Sequence, residues 1–194
     1  MVGNFGGQWL RSWTGPQAQQ SWLISDLPRY CPNAYVYIYQ DPGTFAKGFC
    51  EIIISHRLKT GRSDVPIIFL AHGLGGLLVK QVFLATSPAY THAHMMTKFH
   101  ECIHGFAFFG TPHTRDWAID SVAQNIFRVT QDLPFGSEHS SILYRMLESV
   151  PWVNNEFLCR GGTHVPTVCF GESLATLVVS CPLAILLESH HADN

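Results

Sequence analysis

The stretch from Val65 to Gln81, VPIIFLAHGLGGLLVKQ, constrains the fold more than any other part of the chain. Residues 65–71 form a nearly continuous apolar run, which predicts a strand buried on both faces of a sheet. Residues 74–85 are apolar almost all round and predict a buried helix. Because only a short glycine-rich turn separates the two, the segment predicts a strand that passes directly into a helix.

The turn between this strand and helix has the spacing of a nucleophile elbow, G-x-S-x-G. Ala71 and Gly75 are the small residues two positions either side of Gly73. Glycine adopts positive φ with little penalty, so Gly73 can keep the strained turn. It has no hydroxyl, so acyl transfer through a serine ester cannot occur there. A generic glycine-rich turn is the alternative, but no G-K-[ST] follows to make a P-loop.

Strand-like and helix-like segments alternate along the rest of the chain. Strands are predicted at residues 34–39, 65–71, 103–109 and 165–170, with a short further element at 176–179. Helices are predicted at residues 45–58, 74–85, 116–131 and 140–147. This alternation favours an α/β fold, with a mostly parallel sheet and helices on both faces.

Composition narrows the class of protein further. A chain of 194 residues with 46% hydrophobic and 13% charged residues is typical of one globular domain, residues 1–194. The net charge of −2, without a basic stretch, argues against nucleic-acid binding. The N-terminus lacks a secretory signal, and the most apolar run, residues 174–187, contains Pro182 and is shorter than the ~20 residues that a bilayer requires. We expect an intracellular protein with reduced cysteines.

Four histidines, His92, His94, His100 and His104, lie close together in the sequence. An H-x-H pair can bind zinc, but no cysteine or carboxylate completes a set with known ligand spacing. We therefore predict no metal site in this region, and an exposed loop over residues 88–98.

Four blocks, in this order, resemble the serine-active-site-containing, lipase-like α/β-hydrolases, which in fungi often precede nucleotide-binding or repeat modules. They are the N-terminal region up to Tyr39, the elbow segment Ile68–Gln81, the block Phe108–Ala118 (FFGTPHTRDWA), and Leu143–Phe157 with its final N-x-x-F. The resemblance implies an α/β-hydrolase fold and a family activity towards carboxylic esters, including those of lipids. It implies no cofactor.

The same resemblance implies catalytic positions. Gly73 marks the degenerate nucleophile position, and Glu172, in the sequence C-F-G-E, matches the family's acid. His190 and His191 are the candidates for the base, although the spacing is short. On this interpretation the triad lacks its nucleophile, because Gly73 has no side chain that could attack.

Other residues are expected around this position. The N–H groups of Gly6 and Leu74 are the candidate oxyanion hole. His72 is expected to shape the turn. His113, at the carboxyl end of a strand, is expected either to line a pocket or to order its own loop.

The chain departs from the family's pattern at three places. Its elbow serine is Gly73, its H-G-L-G-G loop is Gly3–Gly7 (GNFGG) preceded only by Met1 and Val2, and the family's D-H motif is expected beyond residue 194. We therefore expect a domain truncated at both ends. We also expect it to be inactive, because removing a triad nucleophile costs about six decades in rate.

Three hypotheses about function follow. The favoured one is a pseudo-hydrolase, a binding or signalling module with a lipid or acyl ester ligand, protein partners and peripheral membrane contact. The first alternative is an active carboxylic-ester or lipid hydrolase that uses a different nucleophile. The second alternative is a non-functional gene fragment. The resemblance implies mitochondrial or endoplasmic-reticulum membranes as the compartment.

Overall fold

The computed structural model of the protein describes residues 22–39, 46–113, 136–171 and 183–189. The helices in these ranges are α1 (Trp22–Ser25), α2 (Leu27–Tyr30), α3 (Ala46–Lys59), α4 (Gly75–Thr86), α5 (His94–Glu101) and α6 (Gly136–Cys159), with a 3-10 turn at Gly162–His164. The strands are β1 (Ala34–Tyr39), β2 (Ile67–His72), β3 (Ile103–Phe109), β4 (Thr167–Phe170) and β5 (Leu183–Ser189). The predicted α/β class is confirmed.

The five strands form one sheet in the order β1-β5-β2-β3-β4. Strands β2, β3 and β4 pair in parallel, whereas β5 lies antiparallel between β1 and β2. Four strands therefore point the same way, and one antiparallel strand interrupts the mostly parallel sheet that the sequence predicts. This strand comes from the apolar run after Pro182, while the predicted element at 176–179 lies outside the described residues.

One face of the sheet carries most of the hydrophobic core. Alternate residues of β2 point to this face and pack against α3, α4 and α6, because side chains alternate along a strand. Aromatic rings hold the centre together: Phe106 stacks on Phe69 at 6.0 Å and meets Phe157 of α6 edge-on at 5.4 Å. Burying a side chain of this size stabilises the fold by about 1.5–3 kcal/mol.

The opposite face is covered by the short helices α1 and α2. Leu23 and Leu27 of these helices pack against Leu70, which points away from the main core. Coverage on this face is partial, since Ile68 is 43% exposed and Val168 is 53% exposed. The described helices thus lie on both faces, with most of the apolar burial on the side of α4 and α6.

Two helix predictions are wrong in extent. Helix α6 spans 24 residues and continues through Pro151, whereas periodicity predicts only residues 140–147. The helical segment that the family resemblance implies, Leu143–Phe157, lies within α6. Proline removes the hydrogen bond to the carbonyl four residues earlier, but packing of Val150 and Val153 on α4 outweighs that loss. Residues 94–98 belong to α5, not to an exposed loop, because Phe99 is buried in the core. The helix predicted at 116–131 lies outside the described residues.

Candidate functional site

The turn between β2 and α4 has the backbone that the sequence predicts. Strand β2 ends at His72 and α4 begins at Gly75. Between them Gly73 has a φ of 55°, in the left-handed region that side chains other than glycine rarely adopt. Leu74 is buried and immediately precedes the helix. The strand, left-handed residue and helix therefore follow one another without an intervening loop.

A second glycine turn follows the neighbouring strand. Gly110, directly after β3, also has a φ of 55°. The N–H group of Gly73 donates to the carbonyl of Phe109 at 2.8 Å, and that of Gly110 donates to the carbonyl of Phe170 at 2.8 Å. The carboxyl ends of β2, β3 and β4 are thus tied side by side, at the edge where parallel α/β sheets bind ligands.

Helix α4 approaches the residues after β3 very closely. A Cβ atom placed on Gly76 would lie 2.2 Å from the Thr111 Oγ1 atom and 2.8 Å from its Cβ. No real Cβ tolerates such contacts, so only glycine fits at this point of the helix. This contact is additional to the small residues Ala71 and Gly75 that the sequence places beside the turn, because it joins α4 to the segment after β3 and not to β2.

A polar cluster lies beside this contact, in which Lys80 and Asn154 are buried and His113 is exposed. Lys80 of α4 is 2% exposed, and its Nζ atom lies 2.8 Å from His113 Nδ1 and 2.5 Å from Asn154 Oδ1. Asn154 of α6 in turn donates to the carbonyls of His113 at 2.5 Å and Pro112 at 3.4 Å. The Lys80 Nζ also lies 5.0 Å from the ring centroid of Phe108. The cluster fastens the segment after β3 to both helices.

Burial sets the protonation behaviour of this Lys80 cluster. Desolvation lowers the pKa of the Lys80 ammonium to about 8, and the nearby Cys169 thiol partly opposes that shift. Burial and the positive charge of Lys80 also lower the pKa of His113. An ammonium can only donate, so His113 Nδ1 accepts and its proton is carried on Nε2. The imidazole of His113 is therefore neutral beside the Lys80 ammonium.

The structure brings together some of the predicted site residues. Gly73 and Leu74 form the turn, and His72 is half-buried in the last position of β2. His113 contacts Lys80 of α4. Two roles are expected for His113, and its contact with Lys80 favours the second, the ordering of its own loop. Four further candidates lie outside the described residues: Gly6, Glu172, His190 and His191.

The sequence interpretation missed three residues of this region: Thr111, Lys80 and Asn154. A signal for Lys80 exists, because it is the single charged residue in the apolar stretch 74–85. The other two belong to the G-T-P-H and N-x-x-F blocks, which lie far from Lys80 in the sequence. Only the packing of α4 against α6 brings them together.

The four neighbouring histidines lie in different environments. His100 Nδ1 lies 3.1 Å from the carbonyl of Phe83 and 3.2 Å from Thr86 Oγ1, whereas His92, His94 and His104 are exposed. Within the described ranges, no three histidine, cysteine or acidic residues are grouped as metal ligands would be. None of the helices in these ranges has the length and apolar character to cross a membrane.

No protein-family model, no curated protein and no solved structure matches the chain.

Proposed function

We propose that this chain is a pseudo-hydrolase of the α/β-hydrolase type, a binding module that keeps a nucleophile elbow without a nucleophile. The observation that carries the proposal is the φ of 55° at Gly73, between the end of β2 and the start of α4. An elbow needs a left-handed residue because that conformation lifts the side chain above the edge of the sheet. With glycine the conformation persists while the attacking hydroxyl is missing.

The proposed ligand is a lipid or an acyl ester. The N–H group of Leu74 lies at the N-terminal end of α4, where the helix dipole favours a partly negative oxygen. Apolar rings lie at the same edge of the sheet, on the face opposite α4, where Phe109 packs with the Leu70 cluster. The rings of Phe109 and Phe170 stack with centroids 4.6 Å apart, and Phe170 is 49% exposed. A polar anchor and an exposed aromatic surface at one edge of the sheet suit a ligand with a carbonyl head and an apolar tail.

The proposal extends to location and partners through the family resemblance alone. On that basis we propose an intracellular protein at mitochondrial or endoplasmic-reticulum membranes, with peripheral membrane contact and protein partners. Exposed apolar residues such as Val168 and Phe170 are the ones that such contacts would use first.

Two alternatives predict different behaviour. An active hydrolase needs another nucleophile near the turn, and Thr111 is the buried hydroxyl that contacts α4 there. Among the described residues no base lies within hydrogen-bond distance of its Oγ1 atom, which disfavours this alternative. A non-functional fragment would expose core surface and would aggregate or unfold without cooperativity.

Hydrolysis of a short-chain p-nitrophenyl ester tests the proposal. Wild type, Gly73→Ser and Gly73→Val are assayed side by side after each is shown to melt cooperatively. We expect wild type and Gly73→Val to be inactive. Turnover gained by Gly73→Ser would support the elbow and require a base, for which His190 and His191 are the candidates. Wild-type turnover that Gly73→Val abolishes would show that another group attacks and that the pseudo-hydrolase proposal is wrong.

A matched control separates backbone strain from loss of the site. Gly61 has a φ of 68°, and nothing lies within 4 Å of a Cβ placed on it. Gly61→Ser therefore introduces the same kind of left-handed strain far from the turn, at a cost of about 1–2 kcal/mol. A fall in thermal stability shared by Gly61→Ser and Gly73→Ser reports strain. New esterase activity confined to Gly73→Ser reports the site.

A further inference from the structure

The two outer strands of the described sheet differ in the charge that they carry. Within this sheet β1 and β4 each pair with one neighbour, so each directs backbone groups away from the sheet. On β1, the guanidinium of Arg62 lies 3.2 Å from the ring centroid of Tyr35 and donates to the Tyr37 hydroxyl at 2.8 Å. A charge fixed on an outer strand disfavours pairing with another chain, because the incoming strand would remove that charge from water.

Strand β4 carries no such charge. Its four residues, Thr167–Phe170, include no charged residue and no proline, and all four are exposed. Val168 is 53% exposed and Phe170 is 49% exposed, and both lie on the face of the sheet opposite α4, next to Ala107 and Phe109. An exposed and uncharged outer strand is a ready template for pairing with another strand.

The backbone of β4 has hydrogen-bonding groups available for such a strand. The carbonyls of Pro166 and Phe170 accept hydrogen bonds from the side of β3. In a parallel pair the N–H and C=O groups of every second residue are directed at the same neighbour, so those of Thr167 and Cys169 are directed away from β3. These two residues therefore offer two donors and two acceptors along the outer edge of β4.

We propose that two copies of this chain pair in antiparallel orientation through β4, about a two-fold axis that passes between their Cys169 residues. In this register each Cys169 exchanges both of its outward hydrogen bonds with its own copy, and Val168 lies opposite Phe170 of the second copy. A register centred on Val168 would instead place Phe170 opposite Pro166. Aromatic and β-branched residues form favourable cross-strand pairs, which favours the register centred on Cys169.

A second copy is the favoured partner because the edge of β4 is complementary to itself. A two-fold contact requires one surface to supply both halves of the interface. The outward N–H and C=O groups of Cys169 match those of its copy, and the two exposed apolar residues of β4 match each other across the axis. The proposal does not depend on the ligand proposed for the turn between β2 and α4.

Analytical ultracentrifugation of the full chain over a range of concentrations tests the proposal. Four-residue strands make a small interface, so we expect a reversible dimer and not a permanent one. Val168→Lys is expected to raise the dissociation constant at least about tenfold, because it breaks both apolar pairs and brings two ammonium groups near one another. A chain that stays monomeric up to about 1 mM would overturn the dimer and leave the proposed ester binding standing.

Ile68→Lys is the matched control for Val168→Lys. Ile68 is 43% exposed on the same face of the sheet, but it belongs to the inner strand β2. Each variant is first shown to melt cooperatively. We expect Ile68→Lys to dimerise as wild type does. An equal weakening in both variants would show association through the apolar face and not through the edge of β4, which would overturn the proposal.

Oxidative cross-linking of the wild type tests the register without relying on a lysine variant that fails to fold. Cys169 is an exposed free thiol. Residues that exchange both hydrogen bonds across antiparallel strands have Cα atoms about 5.5 Å apart, which is within the range of a disulfide. Diamide takes up the two protons and two electrons that the two thiols release. We therefore expect diamide to produce a covalent dimer on non-reducing gels.

Cysteine variants assign that cross-link. Cys169→Ser is expected to abolish the covalent dimer. Cys159→Ser removes an exposed thiol of α6 and is expected to retain it. Absence of the cross-link in the wild type, or its persistence in Cys169→Ser, would overturn the proposed pairing.

Discussion

Arg57 and Lys80 are both buried cations, each 2% exposed, and they lie at opposite ends of the sheet. Arg57 of α3 lies near the amino end of β2, where its Nη2 atom donates to the carbonyls of Val65 at 2.6 Å and Ser63 at 3.3 Å. Its guanidinium also lies 5.9 Å from the ring of Phe99. Lys80 lies near the carboxyl ends of the strands, where its partners are side chains of two other elements.

This difference distinguishes Arg57, which has a structural role, from Lys80, which is a candidate for binding a ligand. Backbone carbonyls cannot leave without unfolding the loop, so Arg57 closes the connection into β2 permanently. Lys80 instead meets an imidazole and an amide. It lies near the carboxyl edge, where parallel α/β sheets bind ligands, and no salt bridge within the described ranges includes it.

The largest effect is expected at the amino end. Arg57→Met leaves the half-buried carbonyl of Val65 without its donor and removes one of two donors from that of Ser63, which the Cys102 thiol also contacts. A buried acceptor that loses its donor costs about 1–3 kcal/mol, and the packing of the Arg57 side chain is lost as well. We expect the free energy of unfolding to fall by about 3 kcal/mol in urea titrations. A loss below about 1 kcal/mol would show that water replaces the guanidinium, and the contrast between the two cations would disappear.

The next largest effect is expected at the contact between α4 and Thr111. Gly76→Ala forces a methyl group to within 2.2 Å of the Thr111 side chain, and overpacking of this kind costs about 1–3 kcal/mol. We expect thermal unfolding to show a loss of about 2 kcal/mol, partly recovered in the double variant Gly76→Ala with Thr111→Ala. Additive losses in the double variant would contradict direct contact.

The pH dependence of the unfolding free energy should show that Lys80 is buried. Burial lowers the pKa of Lys80 to about 8 from its ordinary value of 10.5, so between these pH values the unfolded chain binds more protons than the folded one. The unfolding free energy should therefore rise with pH across this window, by on the order of 1–3 kcal/mol.

The Lys80→Met variant isolates that slope. Other groups titrate in the same range, among them the Cys50 thiol, whose pKa burial raises to about 12. The difference between wild type and Lys80→Met in urea unfolding at pH 7 and at pH 9.5 cancels their contributions. A pH-independent difference would mean that burial does not disfavour the Lys80 ammonium.

The smallest effect is expected for Lys80→Met at pH 7. Relief from burying a charge opposes the loss of the hydrogen bonds to Asn154 and His113, so we expect a change within about 1 kcal/mol of wild type. Differential scanning calorimetry measures it beside Arg57→Met. A loss as large as that of Arg57→Met would make Lys80 a structural cation like its counterpart.

Periodicity predicts the parts of this fold that depend on local pattern. The apolar run before His72 and the apolar helix after it are confirmed as β2 and α4, and Gly73 has the positive φ that its motif requires. Periodicity alone ends the last helix before Pro151, because propensity says nothing about the packing of Val150 and Val153 on another helix. Local sequence patterns therefore predict an element correctly where its burial follows from its own sequence.

The Lys80 cluster could not be predicted in the same way. Its three side chains are separated by 33 and 74 residues, and no local pattern records that α4 and α6 meet. The apolar surroundings of Lys80 indicate an unusual residue without indicating its partner. The close approach of Thr111 to Gly76 likewise depends on the packing of α4 against the segment after β3.

The absence of a side chain at Gly76 has a mechanical consequence. With nothing compressible between Thr111 and the backbone of α4, a displacement of one must push the other, since packed interiors do not deform gradually. Asn154 carries that push from the segment after β3 to α6, whose Trp152 is 57% exposed. A displacement at the Thr111 contact is therefore expected to reach the outer surface of α6, the longest described helix.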